Sequence, residues 1–124
     1  MGNRATIFVK DRNGYAPAGV YLHWSGREAL DWLKEAVPRM RKGDSHYSAA
    51  RLCGECHVRL PGNLSLGLLK APEDDEELLA EDFSPGDAGI LVYNCETGET
   101  RLLDGYLAKQ HGDTVKLPVP PDGG

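Results

Sequence analysis

The sequence lacks the features that mark membrane proteins and the common nucleotide-dependent enzymes. None of its apolar runs approaches the roughly 20 residues that a membrane-spanning helix needs, and its 15 glycines fall at turns rather than in phosphate-binding loops. No nucleophilic side chain can be paired with a base from spacing alone. We therefore expect a protein that is not an enzyme, holds no cofactor and is not embedded in a membrane.

Cysteine is also scarce, with three residues among 124. An odd count does not fit a disulfide framework, and the first segment, Ala5–Lys10, is rich in β-formers rather than resembling a secretion signal. Thiols stay reduced in the cytoplasm. A cytoplasmic location is the expectation.

Two of the cysteines lie in the string Cys53-Gly54-Glu55-Cys56-His57, which has the form of a c-type haem attachment motif or of half a zinc site. Haem attachment would require export from the cytoplasm, and a structural zinc site normally needs four ligands. The remaining candidates are not closely paired; they are Cys95, His46, His23 and His111.

The apolar residues around the string offer a different interpretation. Ala49, Leu52, Cys53, Cys56 and Leu60 recur at helical spacing. This pattern predicts that both thiols lie on the inner face of an amphipathic helix, as small buried apolar groups. A zinc-stabilised domain that uses Cys53, Cys56, His57 and Cys95 remains the alternative.

Charge is distributed unevenly along the chain, whose net charge is −5. Residues 1–71 carry eleven Lys/Arg and six Asp/Glu, a net charge of +5, whereas residues 72–104 carry one and eleven, a net charge of −10. An acidic block of this kind suits a cationic partner and is unsuited to direct nucleic-acid binding, which needs phosphate-neutralising charge.

The acidic block is densest at residues 73–82, where seven of ten residues are Asp or Glu. Pro72 suits the first position of a short helix, and acids suit its first turn. Such a segment is either a solvated face or a surface that binds a basic protein partner. The candidate partner-binding residues are Asp74, Asp75, Glu76, Glu77, Glu81 and Asp82.

The patterning predicts an α+β fold with a mostly antiparallel sheet of about five strands and two or three helices packed on one face. Strands are expected at Ala5–Lys10, Val20–Trp24, Leu64–Leu69, Gly89–Asn94 and Glu99–Leu103. Helices are expected from a capping box at Ser25 to about Pro38, and over about Ser45–Arg59. Residues 1–116 should form a single domain, and residues 117–124 a flexible Pro/Gly tail.

Four blocks of the sequence resemble a family of small proteins encoded in phages, prophages and bacterial genomes. The blocks are Met1–Ala5, Gly19–Gly26, Ala50–Leu52 and Asn63–Gly67. The resemblance implies a protein without enzymatic activity in a bacterial host cell. By analogy with other small phage proteins it also implies an inhibitor of host defence, of the anti-CRISPR kind. Its partner would then be a nucleic-acid-binding defence complex with a basic surface.

Two further groups of residues are candidate sites. His23, at the end of a predicted strand, and His57 are the candidates for a general base should the protein be an enzyme. If the acidic segment only solubilises, the exposed aromatic residues Tyr21, Trp24 and Tyr47 become the next candidates for partner binding.

Overall fold

A computed structural model of the chain describes residues 4–23, 25–59, 66–70, 87–103 and 105–122. The strands are β1 Ala5–Lys10, β2 Ala18–Leu22, β3 Leu66–Lys70, β4 Gly89–Asn94, β5 Glu99–Leu103 and β6 Thr114–Lys116. The helices are α1 Ala29–Ala36, α2 Ser45–Arg59 and α3 Tyr106–His111. Single 3₁₀ turns at Gly26–Glu28 and Val37–Arg39 flank α1.

The six strands form one sheet in the order β3-β2-β1-β4-β5-β6. The β1–β4 pair is parallel, and the other described pairs are antiparallel. The predicted α+β class with a mostly antiparallel sheet is confirmed, with one more strand than expected. The additional strand, β6, and the six-residue helix α3 escaped the sequence analysis because both are too short to show a periodic pattern.

Strand alternation separates two faces of the sheet. On one face, alternate β1 residues such as Ile7 pack in a single buried cluster with residues from all three helices, among them Leu33, Leu52 and Leu107. On the other face, Phe8 belongs to a small separate cluster with Ile90 and Val92. The main core therefore lies between the helices and one face of the sheet.

Helix α1 turns the expected side to this core, but it does not begin with the predicted capping box. Ser25 makes no side-chain capping hydrogen bond. The first turn is 3₁₀ instead, and the backbone N–H of Glu28 donates to the carbonyl oxygen of Ser25 at 3.0 Å. Trp32, expected to be an inner residue, is half-buried at the margin of the core.

Helix α2 has the bounds that the sequence predicted, and its cap is Asp44. The backbone N–H of Tyr47 donates to Oδ1 of Asp44 at 3.0 Å, which satisfies one of the free donors of the first turn. Strand β2 begins and ends two residues earlier than predicted, and β3 ends one residue later than predicted. Trp24, Leu60 and residues 61–65 lie outside the described residues.

Two features shape the C-terminal part of the chain. Gly98 has φ 81°, the left-handed conformation expected at the turn between β4 and β5. Beyond β6, Leu117 is buried in the main core, and the carbonyl oxygen of Pro118 accepts a hydrogen bond from the Tyr93 hydroxyl at 2.6 Å. Residues 117–121 thus lie extended against the domain.

Candidate functional site

A groove of about 540 Å³ opens between helix α2 and the strands β2 and β3. Ligand pockets in proteins commonly enclose about 300 to 1,000 Å³ and have mostly apolar walls. The walls consist of Pro17, Ala18, Val20, His46, Ala49, Ala50, Cys53, Gly54, His57, Leu66 and Leu68. We call this feature the α2–β3 groove.

The helical wall follows from the spacing of six α2 residues. Positions 46, 49, 50, 53, 54 and 57 are separated by steps of three and one, which places them on one face of a helix. The four inner positions hold only small residues: Ala49, Ala50, Cys53 and Gly54. These four α2 side chains are therefore too small to fill the space between the helix and the sheet.

Gly54 is the smallest residue of this row. Glycine within a helix costs about 1 kcal/mol relative to alanine. A Cβ atom built on Gly54 would meet no atom within 4 Å, so close packing does not require glycine here. A larger side chain at this position would instead project into the groove.

The opposite wall comes from the helix-facing side of the sheet. Val20 pairs with Leu68 and Leu22 pairs with Leu66 across the antiparallel β2–β3 ladder, and paired residues point to the same face. Val20 and Leu22 are buried in the core, whereas Leu68 is 64% exposed. A large apolar side chain on the helix-facing side thus remains accessible to a ligand.

Few polar groups face the groove. Within the described ranges its walls contain two imidazoles and one thiol, and no carboxylate. His46 lies in the first turn of α2, with its ring centroid 5.5 Å from that of Tyr15. His57 is exposed near the other end of the helix. The groove can contribute apolar burial along its length and hydrogen bonding at its two ends.

A basic and aromatic cluster lies beside the first turns of α2. The Tyr47 ring, 42% exposed, has the guanidinium carbon of Arg41 5.4 Å from its centroid and that of Arg51 4.5 Å away. Arg51 also donates a hydrogen bond to the Tyr47 hydroxyl. These cation–π contacts hold two positive charges at the surface next to the groove. Tyr47 was one of the aromatic candidates for partner binding.

The opposite face of α2 is closed. Leu52 and Cys56 are fully buried, and burial raises the pKa of the Cys56 thiol to about 12. Glu55, also buried, accepts hydrogen bonds from Arg39 and from Nε of Arg59, the latter at 2.9 Å. This ion-pair cluster satisfies the one acid of the helix.

The structure separates the residues of the Cys-x-x-Cys-His string. Cys56 is buried as expected, but Cys53 is only half-buried and borders the groove. Three residues rotate an α-helix by about 300°, so the two thiols lie about 60° apart around the helix axis. Cys95, just beyond β4, is buried, and burial raises its pKa. The described residues contain no group of three or more His, Cys, Asp or Glu side chains placed to hold a metal ion.

The other predicted site residues have different outcomes. Asp74, Asp75, Glu76, Glu77, Glu81 and Asp82 all lie outside the described residues, so their role as a binding surface stays a prediction. His23 is half-buried, and its Nδ1 lies 2.7 Å from the Tyr21 hydroxyl in a hydrogen-bonded pair away from the groove. No helix within the described ranges is long and apolar enough to cross a membrane.

The groove was not predicted, because Ala49 and Cys53 were expected on the inner face of the helix and Ala50 and Gly54 were assigned to neither face. The available signal was the row Ala49, Ala50, Cys53 and Gly54, in which no member is large enough to fill the space beside a sheet. Comparison with known proteins adds no further guide, since no family model, no curated protein and no solved structure matches the chain. A proposal of function therefore depends on the chain's own residues.

Proposed function

We propose that this chain is a non-enzymatic binding protein that recognises a protein partner through the α2–β3 groove. The observation that carries the proposal is the groove itself, an apolar volume of about 540 Å³ with an exposed leucine on one wall. Accessible apolar surface of this kind is typical of interaction sites, because monomeric proteins rarely leave it uncovered.

The chemistry of the walls supports binding rather than catalysis. A catalytic site needs converging acids, bases or nucleophiles in contact with one another. The polar side chains of this groove stand at positions 46, 53 and 57, along a wall that is otherwise apolar. Such walls contribute affinity by removing apolar surface from water, at about 25 cal/mol per Å².

The finer proposal comes from the sequence alone. The phage and prophage blocks support a protein of mobile-element origin, which we propose to be an inhibitor of a host-defence complex. The acidic segment at residues 73–82 supports a second contact, with a basic surface of that complex. In this proposal the groove supplies affinity, and the acidic segment supplies electrostatic steering.

Filling the groove tests the main proposal. Gly54→Trp places a large ring in the groove at a position where a Cβ atom meets no neighbour. Val58→Trp adds the same ring to the same helix at a residue that is 73% exposed and does not line the groove. We expect wild type and Val58→Trp to bind the apolar dye ANS and to retain the same partner from a bacterial host lysate, and Gly54→Trp to lose both. Equal dye and partner binding by all three proteins would contradict the proposal.

Reversing charge tests the acidic segment. Changing Glu76, Glu77 and Glu81 together to Lys should abolish binding to the partner identified in that capture, and raised salt should slow association of the wild type. The melting temperature should change little if this run of charges is solvated, because exposed charges contribute little to stability. Wild-type affinity in the triple variant would show that the segment only solubilises the protein, and Tyr47 would become the next residue to substitute.

A further inference from the structure

We infer that the segment recognised by the α2–β3 groove is an acidic amphipathic α-helix of the partner protein. The inference rests on the proposed function and names the class of its ligand. It follows from three properties of the groove, which are the apolar character of its walls, its length and the sign of the charge around it.

The apolar walls favour a helical occupant. The groove lies over the face of the sheet, and side chains without hydrogen-bonding groups make up most of its walls. An extended segment lying over the face of the sheet, rather than along the edge of β3, would leave peptide N–H and C=O groups without partners, which costs free energy for each group. A helix satisfies these groups internally and presents only side chains. The groove therefore suits an occupant whose backbone needs no partner.

The length of the groove matches the spacing of side chains on a helix. The α2 wall extends from His46 to His57, a rise of about 16 Å at 1.5 Å per residue. Apolar side chains at i, i+4 and i+7 of a helix extend over about 10 Å. Three such anchors fit between the two histidines. The small residues at the inner positions of α2 leave room for them.

The charge on the described residues beside the groove favours an acidic helix. Among the described residues the groove walls contain no carboxylate, and the one acid of α2, Glu55, is buried and paired with Arg39 and Arg59. Arg41 and Arg51 lie beside the first turns of α2, where their contacts with Tyr47 hold them at the surface. Carboxylates flanking the apolar anchors of a partner helix would meet positive charge there, whereas lysines would be repelled.

Synthetic peptides of about 20 residues, long enough to form a helix, provide the test. One peptide has Leu at i, i+4 and i+7 with Glu at the flanking positions, a second replaces every Glu by Lys, and a third contains the first composition with the Leu spacing scrambled. We expect the acidic helix to bind one per chain, as measured by calorimetry. The basic and scrambled peptides should bind at least tenfold more weakly.

Variants of the protein locate the binding. Gly54→Trp should lower the affinity for the acidic peptide at least tenfold, whereas Val58→Trp should leave that affinity unchanged. Arg51→Glu should weaken binding of the acidic peptide and strengthen binding of the basic peptide. Lys109→Glu makes the same charge change at an exposed residue of α3. It should change the affinity for neither peptide. Equal effects of the two charge reversals would overturn the inference, because general electrostatics would then explain the binding.

The outcomes separate this inference from the proposed function. If Gly54→Trp removes dye and partner binding but acidic and basic peptides bind equally, the groove remains a binding site and the inference is wrong. If dodecanoate, a long-chain carboxylate, binds in the groove and the acidic peptide does not, the site takes a small amphiphile and the inference is overturned. If Gly54→Trp changes neither dye nor peptide binding, both proposals fail.

Discussion

Helix α2 has one face that packs in the core and one face that borders the open groove. On the core face, Leu52 and Cys56 fill the space against the sheet and are fully buried. On the groove face, Ala50 and Gly54 leave that space open, and Leu68 across the groove stays 64% exposed. The same helix and sheet thus form a packed core on one side and a candidate binding surface on the other. Residue type alone does not distinguish the two faces, because Cys56 is fully buried on one and Cys53 borders the groove on the other.

The largest expected effect lies on the core face. Leu52→Ala should lower the free energy of unfolding by about 2 to 5 kcal/mol, because it removes a fully buried side chain and leaves a cavity. Val58→Ala on the same helix, at a residue 73% exposed, should change it by less than about 0.5 kcal/mol. Urea denaturation measures both. Similar values for the two variants would show that α2 is rotated relative to the core.

The second prediction concerns the pH dependence that the core face confers. Burial raises the pKa of Cys56 from 9.0 to about 12, so the unfolded chain loses this proton at lower pH than the folded protein does. Below about pH 9 the thiol is protonated in both states. Between about pH 9 and pH 12, stability should fall by about 1.4 kcal/mol per pH unit through this group.

Cys56→Ala isolates the contribution of that thiol. The variant is less stable than wild type at neutral pH because it loses packing, but it lacks the titrating group. The difference in unfolding free energy between the two proteins should therefore shrink as pH rises from about 9 to about 12. A constant difference over this range would contradict the burial of Cys56. Cys53→Ala, on the groove side, is the matched control.

The contrast between the two faces also explains how far the sequence could predict this molecule. The bounds of β1 and α2 were predicted correctly because each has a full period of apolar residues and a turn or cap at its end. The burial of Cys56 followed from the same periodicity. The parallel β1–β4 pair and the groove could not be predicted, since both depend on which distant segments become neighbours in the sheet.

The smallest expected effect is on the groove face, where a substitution should raise the free energy of unfolding rather than lower it. Gly54→Ala should raise the free energy of unfolding by about 0.5 to 1 kcal/mol, because alanine restricts the unfolded chain and the new methyl group meets no neighbour. Chemical denaturation measures the gain. A methyl group occupies little of a 540 Å³ groove, so ANS binding should persist in Gly54→Ala and be lost only in Gly54→Trp. A loss of stability in Gly54→Ala would mean that the groove face is packed after all. A gain in stability with dye binding retained would show that glycine at position 54 costs stability and that the groove stays open with alanine there.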